Sequence, residues 1–108
     1  MQLLYHNRDG ADARLAGPWN SELAIAVSYA TWADEAPHYH RAMREVCIIA
    51  AGSADLMVAG SVRRVEPGVA AIVEAGEVHA WHAAGPDFRM VVIHEPWVDD
   101  DTHIVAEV

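Results

Sequence analysis

Three histidines and one glutamate occur at spacings that could bring their side chains to one point. His38 and His40 stand two residues apart, and residues two apart on a β-strand point to the same face of the sheet. Glu45 follows after a four-residue gap that a hairpin can close, and His79 comes shortly after an expected turn at 74–76. Three imidazoles and one carboxylate suit Fe, Mn, Ni, Cu or Zn rather than Mg or Ca. We therefore expect one divalent transition-metal ion at this point.

The elements that must position these side chains have the pattern of short β-strands. Apolar runs separated by turn residues predict strands at 22–32, 45–51, 54–58, 62–65, 69–73, 78–83 and 88–94, with an extended segment at 38–40. In 22–32, large side chains alternate with small ones. Turns are expected at 34–37, Gly60-Ser61, Pro67-Gly68, 74–76 and Gly85-Pro86. Strands that recur every eight to ten residues are typical of an all-β sandwich or barrel.

Length and composition limit the class of protein. The chain has 108 residues, which predicts a single domain over 1–108 with flanking segments at 1–21 and 96–108. The net charge is −9 and no basic patch is evident, so we expect neither nucleic acid nor a membrane surface as a partner. With one cysteine, Cys47, and no long apolar run, a cytoplasmic location is expected. A homodimer is expected because so short a chain buries only about two-thirds of its unfolded surface.

The spacing of the four residues resembles two sequence motifs of the cupin superfamily. The first resemblance is His38-Tyr39-His40, four residues, Glu45, six residues and Gly52. The second is Gly68, five residues, Glu74-Ala75-Gly76, two residues and His79, so the core motifs cover 38–79. The resemblance implies a double-stranded β-helix, or jelly-roll barrel. It also implies a metal with two open coordination positions that is held by His38, His40, Glu45 and His79. In the family's pattern Glu45 would also be the catalytic base.

Three positions depart from the family's pattern. Trp32 stands where the first motif begins with Gly, Glu74 stands where the second motif's turn has Pro, and Ala83 stands where Asn often follows the last histidine. None of them removes a ligand. They bear on turn geometry and on the barrel wall, and therefore on the subfamily rather than on the site.

Residues near the expected ligands have alternative interpretations. Cys47 and Trp81 each follow a ligand by two residues, so both are expected to face the barrel interior, where they and Ile49 could line a pocket. For Cys47 we favour a buried small hydrophobic side chain over a redox-sensitive group. Ile49 is expected to fill the bottom of the barrel. His82 is expected to face outward, whereas the sequence leaves the face of His94 open.

Charged residues outside the motif positions are interpreted as solvated groups. Arg41 and Arg44 flank the turn between the expected ligands, and we favour pairing with nearby acids over attraction of an anionic substrate. The run Asp99–Asp101 is interpreted as an acidic surface segment.

Three functions are compatible with this ligand set. We favour a metal-dependent enzyme that acts on a small oxygen-rich metabolite, as a dioxygenase or as an enolising isomerase or lyase. Open coordination positions would let the metal stabilise an oxyanion or admit dioxygen. The alternative is a non-catalytic metal-containing module that binds or senses a small ligand, and a third possibility is a metal that only cross-links strands. A metal-free barrel is disfavoured, because converging buried imidazoles need partners.

Overall fold

Ten antiparallel β-strands make up the computed structural model, which describes residues 1–5 and 12–105. The strands are β1 Asp12–Ala16, β2 Ala26–Ala30, β3 His38–Tyr39, β4 Arg44–Ala51, β5 Ala54–Val58, β6 Ser61–Val65, β7 Ala70–Val73, β8 His79–His82, β9 Arg89–Glu95 and β10 His103–Ile104. They form two five-stranded sheets, in the orders β1-β2-β9-β4-β7 and β10-β3-β8-β5-β6. This arrangement confirms the expected all-β jelly-roll barrel. None of the described residues lies in a helix that is long and apolar enough to cross a membrane.

Local sequence patterns located most of the strands. Strands β4 to β9 begin and end within one residue of their predicted bounds. The turn between β5 and β6 is Ala59-Gly60 rather than the predicted Gly60-Ser61. Strand β2 begins at Ala26, later than predicted, where it pairs with the end of β9. The ladder stops there because Pro96, which follows β9, has no N–H to donate.

The two segments predicted to flank the barrel each contribute an edge strand. Strand β1 pairs with β2, and the two-residue strand β10 pairs with β3 through His103↔Tyr39 and Ile104↔His38. Neither strand has an alternating apolar pattern in the sequence. Both are held by hydrogen bonds to a neighbour that the fold supplies, which is why local patterning did not reveal them.

The hydrophobic core lies between the sheets and leaves space beside it. Its members come from both sheets and include Cys47, Ile49, Trp81 and Phe88, all of them buried. Gly52 allows the chain to pass close to this core, since it has a φ of 70° and an added Cβ would lie 2.8 Å from the backbone of Phe88. In β2 the small residues of the predicted alternation face the interior, which leaves room for a cavity.

Candidate metal centre

The fold brings the four expected ligands together. His38 and His79 are direct cross-strand partners on β3 and β8, while Glu45 reaches the same point from β4 of the facing sheet. His40 follows β3, and its backbone carbonyl accepts a hydrogen bond of 2.7 Å from the N–H of Gly76. All four side chains are buried, and their ligand atoms lie within 4.8 Å of one another. The two motifs therefore converge on one site.

Backbone carbonyls fix the orientation of the three imidazoles. Each Nδ1 lies at hydrogen-bond distance from a carbonyl oxygen: His38 from Ala36 at 2.9 Å, His40 from Asp101 at 3.0 Å and His79 from Glu77 at 3.0 Å. A carbonyl oxygen only accepts, so each Nδ1 carries the hydrogen and donates it. In the neutral rings, Nε2 is then the nitrogen with a free lone pair. Metal-binding histidines are oriented in this way by their outer partners.

The inward-facing atoms have the chemistry of a cation site. His40 Nε2 lies 2.6 Å from Glu45 Oε1, and two acceptors at that distance need a proton or a cation between them. His79 Nε2 is buried 3.4 Å from Glu45 Oε2 and has no hydrogen-bond partner within 1–5 or 12–105. An unpartnered buried nitrogen is costly, and a transition-metal ion would satisfy it. The residues present therefore fit the metal that the sequence predicts.

The carboxylate of Glu45 is ionised at neutral pH. Burial by itself would raise its pKa, but hydrogen bonds from His40 and His94 and the charge of His79 outweigh burial, and its pKa lies far below the usual range. Burial likewise opposes protonation of His40 and His79, yet the nearby Glu45 carboxylate raises the pKa of both. For His38 burial is the dominant cause, and its pKa is lowered. One negative charge thus faces three rings, which favours a cation.

His94 belongs to the site, although the sequence did not fix its face. It is the direct cross-strand partner of Glu45, on β9, and its Nε2 lies 2.9 Å from Glu45 Oε1. Its other nitrogen, Nδ1, is buried without a hydrogen-bond partner among the described residues. The sequence signal that could have placed His94 inside the barrel is the period of two along β9, which puts Met90, Val92 and His94 on one face. In the structure Met90 is buried, and all three residues line the cavity.

The interpretation of Asp99–Asp101 as a solvated run is wrong for Asp101. Asp99 and Asp100 are exposed, but the Asp101 residue is only 7% exposed. Its carboxylate accepts hydrogen bonds from the backbone N–H groups of residues 41, 42 and 43, at 2.9 to 3.0 Å. Its own carbonyl is the partner of His40 Nδ1. Asp101 therefore fastens the turn that connects two of the candidate ligands.

A cavity of about 380 Å³ opens onto the candidate centre. Its wall includes His38, His40 and Glu45, together with Trp81, one of the three residues predicted to line a pocket. The other two, Cys47 and Ile49, are not among the described residues that line it and belong to the core. Cys47 Sγ still lies 3.6 Å from Glu45 Oε2, and burial raises the pKa of this thiol well above its usual range. Cys47 is therefore a neutral thiol of the core that contacts the Glu45 carboxylate.

The remaining charged residues lie outside the centre. His82 faces outward with a side chain that is 42% exposed, 3.8 Å from the carboxylate of Asp34. Arg44 pairs with Glu74 at 3.3 Å, and both side chains are more than half exposed. Arg44 begins strand β4, and its pairing agrees with the interpretation of Arg44 as a solvated residue that pairs with a nearby acid.

Comparison with known proteins identifies the family. A model of the cupin domain matches residues 27–94, a stretch that holds all four candidate ligands. The chain is a cupin. No curated protein sequence matches this cupin.

Three solved structures illustrate what this cupin is similar to. KdgF from Halomonas sp. is 17% identical over 93% of this chain and 97% of its own, with a TM-score of 0.72. The polyketide cyclase RemF from Streptomyces resistomycificus is 18% identical over 97% and 82%, with a TM-score of 0.75. The Streptomyces nucleoside dehydratase Pac13 is 8% identical over 97% and 87%, with a TM-score of 0.73. At these identities the similarity establishes the fold alone.

Proposed function

We propose that this cupin is a metal-dependent enzyme that acts on a small oxygen-bearing metabolite by enolising chemistry, as an isomerase or a lyase. The observation that carries the proposal is that three of the four candidate ligands line the cavity of about 380 Å³. A metal that merely cross-links strands would be closed off by protein, as structural sites are. Here the ligand side chains face a space of the size that small-molecule sites have.

The residues at the site would have two roles, metal binding and proton transfer. His38, His40, Glu45 and His79 would hold the metal, which when bound supplies Lewis-acid stabilisation of a developing oxyanion. His94 shares Glu45 Oε1 with His40 and lies at the cavity wall, so it is placed to hold a proton beside that carboxylate oxygen.

A second carboxylate stands at the cavity wall. Glu35 accepts the Trp81 N–H at 3.0 Å through Oε1 and donates its own N–H to the Trp81 carbonyl at 3.3 Å. These two bonds fix Glu35 against the backbone of Trp81, another residue of the cavity wall. Glu35 and Glu45 both line the cavity, and groups that can take up and return a proton are what enolisation requires.

Two features favour enolising chemistry over dioxygen insertion. The cavity presents several groups able to move protons, and no oxidant is needed to use them. The structures similar to this cupin include a cyclase and a dehydratase, whose names describe reactions without an external oxidant. The dioxygenase and the non-catalytic binding module are the other outcomes of the test.

The first experiment is elemental analysis of protein purified without a metal-binding tag. Wild type and the control His82→Ala should each contain about one transition metal per chain, because His82 lies outside the centre. The double variant His38→Ala/Glu45→Ala should contain almost none. Absence of metal from the wild type after reconstitution would contradict the proposal, as would retention of metal by the double variant.

Reaction class is then tested with 2-oxo and 3-oxo carboxylic acids in deuterated water. Enolisation predicts that proton NMR shows deuterium entering the substrate, with no oxygen consumed at an electrode. Oxygen uptake would instead support the dioxygenase. A rise in melting temperature on ligand addition with neither reaction would support the binding module.

We further propose that this cupin is a homodimer in the cytoplasm. The outer face of the sheet β1-β2-β9-β4-β7 carries a row of aliphatic residues, among which Ile48 is 42% and Ile72 59% exposed. Val46 on the same outer face is the direct cross-strand partner of both Ile72 and Ile93. An exposed apolar patch of this kind marks an association surface in many proteins.

Ile48→Glu should convert the dimer to a monomer in light scattering, whereas Val62→Glu, on the other sheet, should not. A monomeric wild type would refute the proposal.

A further inference from the structure

One cation faces the cavity without a role in the proposed centre. Arg14, on β1, is the only arginine or lysine among the described residues that line the cavity. Its direct cross-strand partner is Ser28 on β2, whose partner is Val92 on β9, and both also line the cavity. Direct partners in antiparallel strands share a face of the sheet. Arg14 therefore projects from the inner face of the sheet.

The row that holds Arg14 lies next to the row that holds the centre. Glu45 and His94 are direct partners in one row, and Val92 is two residues before His94 along β9. Two residues along a strand span about 7 Å. The small side chain of Ser28 lies between Arg14 and Val92 in that row. The Trp97 ring contacts both ends of the gap, with its centroid 5.1 Å from the Arg14 Cζ and 5.5 Å from the His94 ring centroid.

Two indole rings hold the guanidinium in place. The Arg14 Cζ lies 5.0 Å from the ring centroid of Trp19 and 5.1 Å from that of Trp97. The two rings contact each other edge to face at 5.6 Å, and Trp97 Nε1 donates a hydrogen bond of 2.8 Å to Asp99. A guanidinium that rests against aromatic rings can still donate hydrogen bonds from its N–H groups. No carboxylate of residues 1–5 or 12–105 forms an ion pair with Arg14.

The acids on the cavity wall are engaged elsewhere. Asp34 lies 3.8 Å from His82, and Glu35 accepts the backbone N–H of Trp81. An arginine fork that rests against two aromatic rings, and that forms no ion pair with any described carboxylate, matches the geometry of a carboxylate, which can accept two parallel hydrogen bonds from it. The cavity volume of about 380 Å³ lies at the small end of small-molecule sites.

We propose that Arg14 is the carboxylate anchor of this site, so that the ligand is a small organic acid. Its carboxylate pairs with the Arg14 fork, and its remaining oxygen-bearing part extends toward the proposed metal centre. This inference names the substrate class of the proposed function and rests on it for the far end of the ligand. The contact between Arg14 and a carboxylate does not require the metal.

The test compares benzoate with its neutral counterpart benzamide. Both are titrated into isotopically labelled, zinc-reconstituted protein, and dissociation constants are taken from backbone and indole N–H shifts. Wild type should bind benzoate about 10-fold to 100-fold more tightly than benzamide, the range for charge-assisted hydrogen bonds. Arg14→Gln should remove that preference and leave the benzamide affinity unchanged. Arg14→Lys, which keeps the charge without the fork, should retain part of the preference.

The control is Arg63→Gln, which removes an exposed arginine that does not line the cavity. It should leave the preference for benzoate intact. The proposal is overturned if wild type shows no preference, if Arg63→Gln lowers it as much as Arg14→Gln does, or if Arg14→Gln weakens benzamide and benzoate equally. The last result would mean that Arg14 only shapes the cavity.

The double variant His38→Ala/Glu45→Ala separates this inference from the proposed function. If it keeps the benzoate preference while the wild type holds no metal, the anchor stands and the metal-dependent function fails. If the preference disappears in the double variant but survives Arg14→Gln, a centre-bound metal holds the carboxylate. In that case the anchor is refuted and the proposed centre stands.

Discussion

Replacement of Asp101 should weaken both the fold and the candidate centre. Its carboxylate accepts three backbone hydrogen bonds from the turn at 41–43, and its carbonyl orients the ring of His40. Asp101→Ala removes the carboxylate and leaves the N–H groups of that turn without their acceptor. Because the turn connects His40 to Glu45, its geometry sets the distance between two candidate ligands.

The magnitude follows from the burial of each donor. The N–H of Met43 is in a buried pair, and a buried donor left unsatisfied costs about 1–3 kcal/mol. The other two N–H groups are part-buried and can regain water, so each loses about 0.5–1 kcal/mol. Asp101→Ala should therefore lower the free energy of unfolding by about 2–5 kcal/mol. Asp101→Asn, which keeps one acceptor oxygen, should lower it by about half as much. In a domain of this size each kcal/mol corresponds to about 4–8 °C in melting temperature.

Thermal and urea unfolding measure this difference, with Asp100→Asn as the matched control. Asp100 lies in the same acidic run, is exposed, and has a φ of 58° that Asn tolerates. Asp100→Asn should change the melting temperature little. If Asp101→Ala melts within about 2 °C of wild type, the carboxylate does not fasten the turn and the reasoning is refuted.

Acid should abolish the advantage of Asp101 over Asn. Burial opposes its ionisation, but three backbone donors outweigh burial and hold the pKa of Asp101 below its usual range. A folded-state pKa below the unfolded value of about 3.9 adds stability at higher pH and loses it as pH falls through that lower range. The gap in melting temperature between wild type and Asp101→Asn should be complete at pH 7 and shrink below about pH 4. A gap that grows in acid would show that the charge is not stabilising.

Three further predictions concern the centre and the turns. Metal affinity should fall as pH is lowered, and because Glu45 raises the pKa of His40, protons should begin to compete for its lone pair above about 6.5. Full metal content after dialysis at pH 5 would argue against histidine ligation. His94→Gln should weaken metal binding about 10-fold in a chelator competition without changing its stoichiometry, and complete loss of metal would make His94 itself a ligand. Ala59→Asn and Ala83→Asn should each raise the free energy of unfolding, measured in urea, by about 0.5 kcal/mol. The reason is that φ is 49° and 54° at these positions and Asn adopts a positive φ more readily than Ala. Destabilisation by both substitutions would contradict this prediction.

The sequence alone determined the strands whose signals are local. An alternation of apolar and polar residues indicates which face of a strand is buried, and Gly between apolar runs indicates a turn. In the structure Gly52, Gly68 and Gly76 each have a positive φ. The same local logic predicted that His38 and His40 share a face. The resemblance to the two cupin motifs then implied that Glu45 and His79 complete the ligand set.

Only the tertiary structure decided which residues surround those four. His94 meets Glu45 across a separation of 49 residues, and the Asp101 carbonyl meets His40 across 61. Arg14 lies on edge strand β1, and Asp101 comes shortly before edge strand β10. Neither strand has an apolar periodicity of its own. Hydrogen bonds and ring contacts between distant segments depend on strand order and register, which arise from the packing of two sheets as a whole. Local sequence patterns do not determine that packing. The candidate ligands could therefore be predicted from the sequence, whereas the residues that surround them could not.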